Sequence, residues 1–273
     1  MHTVNANGAS IPAIGLGTWT LTGEHCAEIV AEGLRLGYRS VDTAQMYDNE
    51  AAVGTGLAAS GVAREDIFLT TKIWPDCAAS GVLERTAEER LRLLGVDYLD
   101  LLLIHWPPRA VPVAETMAAL AAVKRAGLTR HIGISNYTVA LIEEAVASCP
   151  EPLVTNQVEY HPFLSQRRVL EACRRHGLSL TAYCPIARGK VFDDPVIGAI
   201  ARRHGRSPAQ VTLRWLIQQD GVIAIPRTAT PARLGENLAA FDFTLSDEDM
   251  AAISGLAEPG GRMVESSYSP AWD

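Results

Sequence analysis

The sequence predicts an α/β fold, a closed (β/α)8 TIM barrel with an N-terminal β-hairpin and a C-terminal tail at the barrel mouth. Three observations carry that expectation. Short, almost continuously apolar runs alternate with longer helical patterns, as parallel strands buried on both faces require. Eight such runs occur, enough to close a barrel. The chain has 273 residues, close to the roughly 250 that such a barrel needs.

Thr3-Val4 and Ile11 flank Asn7-Gly8, a dipeptide suited to a tight hairpin turn. The strand runs are Ile14–Trp19, Tyr38–Asp42, Ile67–Ile73, Leu99–His105, His131–Ser135, Leu153–Glu159, Leu178–Tyr183 and Val222–Pro226. Gly37, Gly95, Gly127, Gly177 and Gly205 follow helical stretches, where a left-handed residue ends a helix. Ser207-Pro208 and Thr230-Pro231 each read as an N-cap followed by Pro in the first turn. Ser246-Asp247-Glu248-Asp249 resembles a capping box with an acid in the third position. The longest gap, before the last strand, holds two helical patterns, Asp194–His204 and Pro208–Gln219. It predicts an inserted helix or long loop over one mouth. No linker or composition shift divides the chain, so residues 1–273 are expected to form one domain.

Composition narrows the function. Hydrophobic residues make up 48% and charged residues 20%, as in soluble globular proteins. Lys and Arg number 24 against 31 Asp and Glu, a net charge of −7. No basic run stands out, which argues against nucleic acid as a partner. The five cysteines are odd in number and form no C-x-x-C pair, so a reducing compartment is expected, without a disulfide framework or zinc site. His25-Cys26 and Cys173 to His176 lack metal spacing, and no metal is predicted. The N-terminus has no basic segment followed by an apolar run, and no long apolar stretch follows. A cytoplasmic protein without membrane contact is expected.

In such barrels chemistry sits at the C-terminal ends of the strands. There this sequence places Asp42, Lys72, His105, Ser135-Asn136, Gln157, Tyr183 and Arg227-Thr228, with Tyr47 in the loop just after Asp42. Singly, each has an ordinary structural reading, as a helix cap or a solvated strand tip. Together they suit carbonyl reduction, which needs a hydride donor and a proton donor. A tyrosine is a weak acid, and a neighbouring ammonium favours its ionised form. A carboxylate keeps that ammonium charged, and a histidine orients the carbonyl oxygen. Tyr47, Lys72, Asp42 and His105 fill those four roles.

These residues lie in recognisable motifs. GLGTW (15–19), DTAQMYDNEAAVG (42–54), TTKIW (70–74), LLLIHWP (101–107), GISNY (133–137), NQVEYHP (156–162) and IPRTATPARLGEN (225–237) resemble the aldo-keto reductase family, in order and over nearly the whole chain. Within it the resemblance is nearest to bacterial 2,5-diketo-gluconic acid reductases of the B type. It implies Tyr47 as proton donor, tuned by Lys72 and Asp42, with His105 orienting the substrate. It implies that Ser135, Asn136 and Gln157 meet the nicotinamide carboxamide and Tyr183 stacks on its ring. Gly17, Thr18 and Trp19 would line the floor, and Cys184, Pro185, Ile186, Ala187, Arg188 and Gly189 would pass over the pyrophosphate. Glu236 and Asn237 would meet the adenine. Where the family usually has Lys-Ser and then Arg for a 2′-phosphate, this chain has Arg227-Thr228 and Arg233. Guanidinium binds phosphate well, so NADPH is expected, with NADH used less well. Trp19, Tyr47, Trp74, His105 and Trp106 are expected around a small carbonyl substrate, with Trp272 of the tail Gly260–Asp273 closing one wall. The resemblance leans towards a monomer. His161 falls within a motif but receives no chemical role.

Two other readings start from the same residues. A barrel lyase would use Lys72 as a Schiff base. A non-catalytic module would hold the cofactor without turnover. Neither a Rossmann fingerprint nor Tyr-x-x-x-Lys is present: Thr20 stands where the third Gly belongs, and no Tyr has Lys four residues on.

Overall fold

The computed structural model describes residues 2–273. The chain opens with an antiparallel hairpin, β1 (Thr3–Ala6) and β2 (Ala9–Pro12). Asn7 and Gly8 both have positive φ, 42° and 89°, the turn whose twist matches a hairpin. The Asn7 side chain donates to the carbonyls of Leu153 and His176 at 2.7 and 2.9 Å. Leu153 begins a barrel strand, so the hairpin covers the end of the barrel opposite the strand C-termini.

Eight parallel strands follow in the spatial order of the sequence. They are β3 (Leu16–Gly17), β4 (Ser40–Asp42), β5 (Phe68–Ile73), β6 (Leu99–Ile104), β7 (Thr129–Ser135), β8 (Leu153–Glu159), β9 (Ser179–Tyr183) and β10 (Val222–Ala224). The barrel closes between β3 and β10. Gly15 N donates to Ala224 O, Ala224 N to Ala13 O and Gly17 N to Pro226 O, at 2.9 to 3.0 Å. Regular pairing covers only two residues of the Ile14–Trp19 run, with single bridges at Ile14 and from Gly17 to Arg227. The seam is too tight for side chains. A Cβ on Gly15 would lie 2.9 Å from Ser40 Oγ, and one on Gly17 would lie 2.9 Å from Ile225 O.

The helices are α1 (Gly23–Arg35), α2 (Glu50–Ala59), α3 (Val82–Leu94), α4 (Val113–Arg125), α5 (Val139–Ser148), α6 (Arg167–Arg175), α7 (Pro195–His204), α8 (Pro208–Ile217), α9 (Ala232–Leu238) and α10 (Asp247–Ser254). The five glycines expected to end helices all have positive φ. Ser207 caps α8 as expected: its hydroxyl accepts from Gln210 N, and the Gln210 side chain returns to Ser207 N. Two other expected caps differ. Ser246 accepts from Asp249 N at 3.1 Å, but the Asp249 carboxylate turns to Arg203 and His204 at the end of α7. Thr230 caps nothing, because Pro231 already has helical φ and ψ and it is the Thr228 hydroxyl that accepts from Thr230 N. The inserted helix α7 packs beside α8 and α10, fastened by the Asp249 pairs, rather than across a mouth.

The outer layer is tight where α1, α2 and α3 meet. A Cβ on Gly54 would fall 2.4 Å from Leu94 O, and one on Gly56 would fall 2.6 Å from Ala27 O. Both obstacles are backbone. Gly54→Ala is therefore expected to lower unfolding free energy by about 1–3 kcal/mol, read from the urea midpoint. An unchanged midpoint would contradict this packing.

Candidate active site

The strand ends bring the expected four residues together. Lys72, second from the end of β5, is completely buried. Its ammonium donates to Asp42 Oδ1 at 2.5 Å, to Thr43 O at 2.8 Å and to the Tyr47 hydroxyl at 3.3 Å. Three N–H donors thus meet three acceptors, which is what a charge removed from water requires. Asp42, at the end of β4, is engaged on its other oxygen by Gln157 Nε2 at 2.8 Å. Gln157 lies on β8, across the barrel.

Tyr47 stands in a 3-10 turn, Gln45–Tyr47, after β4. Its ring is edge-on to His105 at 5.8 Å, and Trp74 is edge-on to the same imidazole at 5.3 Å. His105 is buried, and its Nδ1 has no hydrogen-bond partner.

The electrostatics follow from this packing. Burial opposes the Lys72 ammonium, but Asp42 and Tyr47 outweigh it and hold its pKa above the usual lysine value. Burial raises the Tyr47 phenol, while Lys72 pulls the other way. The expected effect of Lys72 is present, yet desolvation exceeds it, so Tyr47 keeps its proton at neutral pH. Burial and then Lys72 press His105 well below the ordinary histidine range. The result is a charged lysine, a protonated phenol and a neutral imidazole around one opening. A Schiff-base lysine needs the reverse, an amine of lowered pKa, so the lyase reading is not favoured.

Several of the predicted cofactor residues are linked by hydrogen bonds at the strand C-termini. Ser135 Oγ donates to Gln157 O at 2.7 Å. Asn136, left-handed at φ 66°, donates to His105 O at 2.9 Å and accepts from the Tyr183 hydroxyl at 2.8 Å. The partly buried Tyr183 ring is thereby tied to Asn136, which itself bonds His105 O. In the Cys184–Gly189 segment Cys184, Ala187, Arg188 and Gly189 all have positive φ; Ala187 N and Gly189 N are bonded within the turn, to Cys184 O and Ile186 O, and the backbone is held in a tight left-handed loop. Pro185 and Ile186 complete that turn. Thr18 is buried, and its hydroxyl donates to Asp42 O. Arg227 donates to Trp19 O at 3.1 Å and to Thr20 Oγ1 at 2.6 Å. Thr228 and Asn237 are buried, while Arg233 and Glu236 are exposed on α9. These donors fit a dinucleotide with an anionic centre.

Of the predicted substrate residues, Trp19 is 48% exposed and Trp106 only 4%. Trp106 meets Trp272 of the tail edge-on at 6.1 Å. Sequence reasoning missed several residues that shape the site. Buried Asn49 donates to Thr18 O and Leu21 O, both at 2.9 Å, and accepts from Thr43 Oγ1 at 2.7 Å. It stitches the loop after β3 to the segment carrying Tyr47. Gln45 Oε1 accepts from Trp74 N at 2.8 Å. Tyr268 of the tail lies edge-on to Trp74 at 5.5 Å and donates to Asp76. Asn49 carried a weak signal as a polar residue inside the DTAQMYDNEAAVG motif; in the tail Trp272 was foreseen as a wall, whereas Tyr268 carried no signal.

This constellation on a closed barrel defines a class, and comparison agrees: residues 13–258 match the Aldo/keto reductase family. The chain belongs to that family and is an oxidoreductase. Among similar proteins, methylglyoxal reductase DkgB of Salmonella typhimurium is 44% identical over 268 residues, 97% of this chain and 100% of that one. Glyoxal reductase of Bacillus subtilis is 40% identical over 251 residues, 92% and 90% of the two chains. A solved structure assigned as a 2,5-diketo-D-gluconic acid reductase B superposes with a TM-score of 0.98 at 50% identity, covering 100% and 98%. A Gox0644 variant in complex with NADPH gives 0.89 at 40% identity, covering 96% and 95%.

With its pKa lowered, His105 is neutral through the physiological range. Its ring NMR signals are expected to stay flat from pH 6 to 8 in the free protein. A midpoint near the ordinary histidine value would contradict the burial argument.

Proposed function

We propose that the protein reduces small aldehydes and ketones, methylglyoxal-like compounds and 2,5-diketo-gluconate among them, to alcohols with NADPH. The observation that carries this reading is the set of three hydrogen bonds from the buried Lys72 ammonium to Asp42, Thr43 O and Tyr47. Bound NADPH supplies the hydride. The carbonyl oxygen is held between Tyr47 and His105, and Tyr47 gives it a proton. Lys72 stabilises the tyrosinate that is left, and Asp42 keeps Lys72 charged and in place. Neutral His105 orients the carbonyl without competing as an acid.

Tyr183 provides the stacking face for the nicotinamide, and Ser135, Asn136 and Gln157 face its carboxamide. Gly17, Thr18 and Trp19 form the floor, and the left-handed Cys184–Gly189 turn lies over the pyrophosphate. Arg227, Thr228 and Arg233 read the 2′-phosphate, and Glu236 and Asn237 the adenine. Arg227 already bonds Trp19 and Thr20, which leaves Arg233 as the freer cation. Trp19, Trp74 and Trp106 give the carbonyl an apolar cup. We place the protein in the cytoplasm as a monomer, one barrel domain over residues 1–273. No helix among the described residues is long and apolar enough to cross a membrane.

NADPH oxidation with methylglyoxal tests the reading. Tyr47→Phe is expected to lose at least about a hundredfold in kcat with the NADPH Kd unchanged. A variant that turns over at the wild-type rate would remove Tyr47 as proton donor. Arg233→Ala is expected to lower the NADPH to NADH preference about tenfold through loss of a charge-assisted bond. An unchanged ratio would place 2′-phosphate recognition elsewhere.

A further inference from the structure

Glu159 and His161 are buried, titratable and without a part in the reduction chemistry. Glu159 ends β8 opposite Tyr183 of β9. Both residues are 0% exposed, and the His161 ring nitrogen Nε2 lies 2.9 Å from Glu159 Oε1. A carboxylate so deep needs donors. Two come from the C-terminal tail: Met263 N donates to Oε1 at 2.8 Å, and Val264 N donates to Oε2 at 3.0 Å. The Arg262 guanidinium stands 3.8 Å from Oε2.

The tail pinned there carries the outer wall of the carbonyl opening. Arg262 Cζ stands over the Trp272 ring, 3.5 Å from its centroid, and Trp272 meets Trp106. Tyr268 meets Trp74, which meets His105. A second observation shows how closely the tail is seated. A Cβ on Gly261 would lie 1.8 Å from Phe163 O, an obstacle of backbone that cannot swing aside.

We infer that Glu159 is a positioning residue that clamps residues 262–264, with His161 as its buried partner, and so makes the tail a fixed wall that limits substrate size. The size argument rests on the proposed carbonyl reduction, whereas the clamp itself does not. Both carboxylate oxygens are used, each by a backbone N–H. A glutamine has the same shape but would turn its NH2 toward one of those N–H groups, whichever way the amide lies. Shape and charge can therefore be separated.

The test compares wild type with Glu159→Gln and Gly261→Ala. It follows hydrogen exchange of residues 262–273, NADPH Kd, and kcat/KM for methylglyoxal and for a bulky aromatic aldehyde. Both variants are expected to speed exchange in the tail and to raise the bulky-to-small ratio of kcat/KM about tenfold, with NADPH Kd unchanged. Two changes far apart in sequence, acting alike on the same contact, would mark the tail as their common target. Wild-type tail exchange in Glu159→Gln would overturn the clamp, as would loss of NADPH binding in that variant. A changed ratio in Gly261→Ala alone would also overturn it, since the tail would then be held by other contacts. If wild type reduces neither aldehyde, the proposed function fails, and the exchange measurement still decides the clamp.

Discussion

A single ammonium group organises the mouth of this barrel. Lys72 is fully buried, and an unpaired charge there would be far too costly to persist. Its three bonds all go to one short segment, 42–47: Asp42 at the end of β4, Thr43 O just after it, and Tyr47 in the next turn. Gln157 completes the pairing of Asp42 from the far side. Together these bonds hold that segment, and with it the Tyr47 hydroxyl, against β5.

The same burial sets the protonation states. Low polarity around the cluster raises the phenol and lowers the imidazole, while the Asp42 to Lys72 pair keeps its charge. A neutral carbonyl would thus meet a neutral acid and a neutral hydrogen-bonding ring, backed by one fixed cation. Such preorganised electrostatics act where charge develops. Around this centre the rim is built in two halves. The Ser135, Asn136, Tyr183 and Cys184–Gly189 side is tied together by its own hydrogen bonds and left-handed backbone. The opposite side depends on the tail, seated against Trp74 and Trp106.

Much of this was legible in the sequence because polar residues interrupt apolar runs. Asp42, Lys72 and His105 each stand at the end of such a run, and parallel strands in register must bring those ends to one face. The hairpin at Asn7-Gly8 and the cap at Ser207 were legible because turn and cap chemistry are local. What escaped depends on contacts distant in sequence. Glu159 reads as an ordinary acid at a strand end, and only the fold brings Met263 and Val264 onto it. The tail has no periodicity, so Arg262 and Tyr268 gave no sign of their partners. The short first strand escaped for a related reason, since the seam of a closed barrel is invisible in one strand alone. The pull of Lys72 on Tyr47 was foreseen, but its defeat by desolvation depends on burial, which a loop residue does not announce.

We propose that Asp42 acts through Lys72, to which it is bonded, rather than on substrate directly. The most direct measurement is the single-turnover rate of NADPH oxidation in Asp42→Asn, Lys72→Met and the double variant. If the account is right, the double variant is no slower than Lys72→Met, because the carboxylate has nothing left to act upon. Losses that multiply, with each substitution exacting its full cost in the presence of the other, would contradict it and give Asp42 a role of its own.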